Sequence, residues 1–103
     1  MAVKLTHLQK PILNLEGQPL VDAETGKELA IGNLIANVLA RGQSKDPVRA
    51  MMVAMQLHGK TASEVDDADV GLITESVKDD RLLNNTAKAA ILTLLLNGQA
   101  KTV

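Results

Sequence analysis

Not one phenylalanine, tyrosine, tryptophan or cysteine occurs in this chain, so its core has to be built from Ala, Val, Ile, Leu and Met. The same absence excludes whole chemistries. Without aromatic rings there is no base-stacking platform for single-stranded nucleic acid, no aromatic cage for a quaternary ammonium and no cation–π site. Without cysteine there is no disulfide, thiolate nucleophile, iron–sulfur cluster or cysteine-ligated zinc.

Charge narrows the partners further. Eleven Lys and Arg face twelve Asp and Glu, a net charge of −1, so no overall field draws the chain to a phosphate backbone or an anionic membrane. Nucleic acid is therefore not an expected partner. The first ten residues lack the apolar run of a secretory signal, and the most apolar stretch, 87–96, is half a membrane span. The expected setting is the cytoplasm of a bacterium, with no membrane contact. At 103 residues the chain can hold one core, near the size at which oligomerisation often adds needed stability. A single domain over 1–103 is expected.

Turn signals crowd the first thirty residues: Pro11, the Glu16-Gly17 step, Pro19, and the 22–27 segment with Thr25-Gly26. Short apolar runs between them predict a β-hairpin or meander over about 9–30, its strands confined to edges by the prolines. From Ile31 the period changes. Ile31, Leu34, Ile35, Val38 and Leu39 recur at helical spacing until Gly42. Asp46 as N-cap and Pro47 at the first helical position open a second helix. Val48, Met51, Met52 and Met55 form its apolar face, and Arg49 and Gln56 its exposed side. Methionines at this spacing read as core filler, with an adaptable partner groove as the alternative. After a connector at 61–65, Asp66 caps a third helix with Val70, Ile73 and Val77 as its buried stripe. The last helix starts at Asn84 or Asn85 and ends at Gly98, with 99–103 as a frayed tail. The predicted fold is mainly α in the α+β class, an amino-terminal hairpin or meander followed by four helices over 31–98.

The last helix is apolar almost all round. Ala87, Ala90, Ile91, Leu94 and Leu95 supply a core face, and Ala89, Leu92 and Leu96 a second stripe. That stripe is either sheathed by the hairpin or exposed as a contact for a protein partner or another copy. It is the candidate binding site.

Candidate chemistry is sparse. Glu64, Asp66, Asp67 and Asp69 cluster, but a calcium loop starting at Asp67 would need Gly and Glu where Leu72 and Lys78 stand. Carboxylates at a helix start are commonly there to cap it. His58 falls at a helix end, where the dipole favours a cationic ring, and His7 lies in an amino-terminal segment expected to be mobile. No glycine spacing matches a dinucleotide fingerprint or P-loop. No enzyme activity, cofactor, metal or small-molecule substrate is expected.

The stretches Gly26-Lys27-Glu28-Leu29-Ala30-Ile31-Gly32-Asn33-Leu34 and Leu57-His58-Gly59-Lys60-Thr61-Ala62-Ser63-Glu64-Val65-Asp66 resemble small proteins of tailed bacteriophages and prophages. One such group is uncharacterised phage proteins, with an opening like Leu15-Glu16-Gly17-Gln18-Pro19-Leu20. The other is the tail assembly chaperones of long-tailed phages. The resemblance spans roughly 13–77 and implies a non-enzymatic protein that binds a tape-measure protein or tail-tube subunits during assembly. The alternatives are a small phage regulator touching DNA or another regulator through Arg41, Lys45 and Arg49, and a small hydrolase built on His58 and the acidic group.

Overall fold

A computed structural model describes residues 2–21, 26–42 and 44–101. Its elements are β1 (Ala2–Leu5), α1 (Ile31–Arg41), α2 (Pro47–Leu57), β2 (Ser63–Asp66), α3 (Asp67–Asp79) and α4 (Asn85–Lys101). The mainly helical class, an amino-terminal β region leading into four helices, is as the sequence predicts.

Among the described residues the one regular ladder has its first strand upstream of the predicted hairpin and its second far downstream. β1 pairs antiparallel with β2, Ala2 opposite Asp66 and Leu5 opposite Ser63. Val3 and Leu5 alternate inward and are fully buried, as is Leu8 just beyond, so the amino-terminal segment is anchored core and not a mobile tail. His7 sits between them in the left-handed region at φ 59°, turning the chain so that Lys10 N–H reaches the His7 carbonyl.

Residues 11–30 do fold back on themselves, but through single bridges at Pro11–Ala30, Leu13–Pro19 and Val21–Glu28. Three backbone bonds close a ring: Ile12 N–H donates to Leu29, Leu29 to Leu20, and Leu20 to Ile12. Pro11 and Pro19 have no N–H to donate, which stops these bridges from growing into ladders. Asn14 Oδ1 accepts from Glu16 and Gln18 N–H and fixes the expected turn at Gly17. The 22–27 turn lies largely outside the described residues.

The helices start as predicted. Asp46 Oδ1 accepts from Arg49 N–H at 3.0 Å, and Asn84 Oδ1 from Ala87 N–H at 2.9 Å, each satisfying a donor that the first turn leaves open. Asp66 stands at the N-cap of α3, yet its side chain makes no capping bond. The core joins the α1 face to Val53, Ala54 and Leu57 of α2, Val70, Ile73 and Val77 of α3, and Ala87, Ile91 and Leu95 of α4.

Gly98 does not end α4, which continues to Lys101; residues 102–103 of the expected frayed tail lie outside the described residues. Gly98 is there to let β1 approach. A Cβ at this position would lie 3.0 Å from Leu5 Cδ2 and 3.1 Å from the Lys4 carbonyl oxygen.

Candidate functional site

The structure separates the three residues of the candidate stripe on α4. Leu92 is half-buried against the core, while Ala89 is exposed and Leu96 is 65% exposed. The amino-terminal meander does not sheath this stripe. It lies against the neighbouring side of α4, where His7, Lys10 and Ile12 face Ala90, Thr93 and Leu94 across a shallow pocket of about 280 Å³.

The larger apolar surface is on α2, in the reverse of the expected orientation. The buried face is Ala50, Val53, Ala54 and Leu57. Val48, Met51, Met52 and Met55, expected in the core, are 70%, 44%, 55% and 72% exposed. At 100° per residue these four centre on the side of the helix opposite the buried one. The small side chains of Ala50 and Ala54 explain the choice, because they let the backbone of α2 come close to its neighbours, as methionines at those points would not. Periodicity could have raised the possibility: residues 50, 53, 54 and 57 share the spacing of 48, 51, 52 and 55.

The polar side chains flanking this face are tied down away from it. Arg49 Nε and Nη2 donate to the two oxygens of Asp69 on α3 at 2.8 and 2.5 Å, and Nη2 lies 3.6 Å from Asp66 Oδ2. Asp69 is 3% exposed, so its carboxylate is held in the interior by this bidentate pair. The hydrogen bonds it donates to Asp69 are the main reason that the Arg49 guanidinium is held still more firmly protonated than usual. Gln56 donates to Ser63 Oγ and to the Glu64 carbonyl of β2. Of the acidic group at the start of α3, Asp69, with Asp66 beside it, therefore serves as an anchor for α2, a role that helix capping does not describe. No cluster that could hold a metal occurs among the described residues.

A second pair of the same kind clips the other end of α3. Arg41 Nε and Nη2 donate to Asp80 at 2.8 and 3.0 Å, and Asp80 Oδ1 also accepts from Leu82 and Leu83 N–H. The Arg41 bond, followed by the two backbone bonds, holds the Asp80 carboxyl below its ordinary value against the opposing cost of burial. A lowered folded value means that this stabilisation is complete above the unfolded value of about 3.9 and is lost as pH falls through the folded one. Asp80→Ala should cost about 2 kcal/mol at pH 7, and urea titrations at pH 7 and pH 3 should show the gap to wild type narrowing in acid.

Of the three cations offered as a DNA contact, Arg41 and Arg49 are thus engaged by carboxylates, and Lys45 is exposed. His58 is exposed at the end of α2. No helix among the described residues is long and apolar enough to cross a membrane. No protein-family profile, curated protein or solved structure matches the chain at a significant level.

Proposed function

We propose that this chain works by contact with other proteins and not by catalysis, in an assembly role of the kind that the phage resemblance implies, with a tail assembly chaperone as its particular form. The observation that supports the reading is the exposed face of α2. Four apolar side chains, three of them flexible thioethers, stand together in water on a rigid helix, and contiguous apolar surface of this kind marks contact sites on soluble proteins. The regulator alternative lacks comparable support, since two of its three cations are already neutralised by Asp80 and Asp69.

Co-expression with the proteins encoded beside it tests the reading. A neighbouring tape-measure protein or tail-tube subunit should stay soluble and co-elute with this chain in size-exclusion chromatography. Neighbours that aggregate while the chain elutes alone would overturn it.

A further inference from the structure

We infer that the pocket between the amino-terminal meander and α4 binds a small aliphatic carboxylate, with its alkyl chain on the apolar floor and its head group held by Lys10 among His7, Thr93 and Asn97. The site lies apart from the exposed face of α2, so it does not depend on the reading of that face as a contact surface. At about 280 Å³ the pocket falls just short of the range that takes drug-sized ligands, which limits the occupant to a short chain.

The polar groups converge on this one place. Within 87–98 the polar side chains of α4 are Lys88, Thr93 and Asn97, and two of these three line the pocket together with His7 and Lys10. None of these four side chains makes a hydrogen bond or ion pair with another described residue. The floor beneath them is apolar, built from the buried Ile12 and Ile31 and the half-buried Leu94. An apolar pocket with a few convergent polar groups is the usual form of a small-molecule site.

Charge selects an anion. Residues 1–15 contain Lys4 and Lys10 and no Asp or Glu, and residues 81–98 contain Arg81 and Lys88 and no Asp or Glu, in a chain whose net charge is −1. Both main walls of the pocket come from these cationic stretches, and no carboxylate lines it, so the local field favours a negative head group. The backbone points the same way. His7 holds φ 59°, a left-handed conformation that glycine adopts at no steric cost, and the other described positions with positive φ are Gly17, Gly26 and Gly59. A histidine is kept at a turn where glycine would be easier, and it lines the pocket.

Titration of the isotope-labelled full chain with hexanoate, followed by amide chemical shifts, should saturate with a Kd of about 1 mM or below. The largest shifts should fall within 7–12 and 90–97. Hexanol, which keeps the chain without the charge, and acetate, which keeps the charge without the chain, should each bind at least about tenfold more weakly. Lys10→Gln should weaken hexanoate at least about tenfold, whereas Lys4→Gln, which removes an equal charge from the same segment outside the pocket, should change binding less than about twofold. His7→Gly should weaken binding about fivefold while leaving thermal stability intact, because the turn suits glycine; circular dichroism checks that every variant stays folded. Shifts that never saturate, hexanol binding as tightly as hexanoate, equal losses from Lys4→Gln and Lys10→Gln, or full binding by His7→Gly would each overturn the inference.

Discussion

Leu5→Ala is expected to cost about 3 kcal/mol, within the range for deleting a buried leucine side chain without collapse of the site. Leu5 is fully buried, and its Cδ2 lies against Gly98, whose missing side chain brings α4 up to β1. That contact limits how far the structure can close around an alanine. The strand is held on one side by β2 and packs α4 on another, so neither wall moves in freely. Total stability for a domain is commonly 5–15 kcal/mol, so the loss is a large share, and the urea midpoint should fall by about 1 M or more. A midpoint within about 0.3 M of wild type would show that Leu5 does not lie in a close-packed site.

Gly32→Val should be nearly as damaging, by the opposite mechanism. A Cβ at Gly32 would come within 2.8 Å of Leu8 Cβ and 3.0 Å of the Leu8 carbonyl oxygen, the same oxygen that accepts Gly32 N–H at 2.8 Å. Neither neighbour is the free end of a flexible chain, so α1 has to shift off the amino-terminal segment, at a cost of about 3 kcal/mol. Gly71→Ala in α3 is the control. Nothing lies within 4 Å of its added methyl, so only helix propensity acts and the variant should gain up to about 1 kcal/mol. Thermal unfolding of both variants should move in opposite directions, and a stabilised Gly32→Val would contradict the close approach.

The comparison of these two glycines shows what the sequence makes legible. A glycine inside a helical pattern carries a propensity cost that can be read directly, as at Gly71. Whether it also admits a neighbouring backbone depends on segments far away in sequence, as at Gly32 and Gly98. The faces of α1 and α3 were legible because each has one apolar stripe. On α2 there are two, and the choice between them was made by alanine-sized contacts that hydrophobicity does not register. β1 was missed because four alternating residues are a weak signal and the partner strand starts at Ser63. The Arg41–Asp80 and Arg49–Asp69 pairs join helices across 39 and 20 residues, and no local spacing announces them. The exposed apolar face of α2 was present in the sequence as a methionine cluster, but read as core filler, the reverse of the orientation it takes.

The ladder between Ala2–Leu5 and Ser63–Asp66 also sets an order of events during synthesis. An αα-hairpin of α1 and α2 can form from nascent chain alone, since its contacts are local. β1, made first, has to wait until residue 66 has been added before it has a strand to pair with, and until Gly98 has been added before α4 can close over it. At translation speeds of about 5–20 residues per second the wait lasts several seconds, during which Val3, Leu5 and Leu8 stay in water. No amino-terminal fragment short of α4 can bury its own first strand, so a chain cut before Gly98 is expected to leave Val3, Leu5 and Leu8 in water.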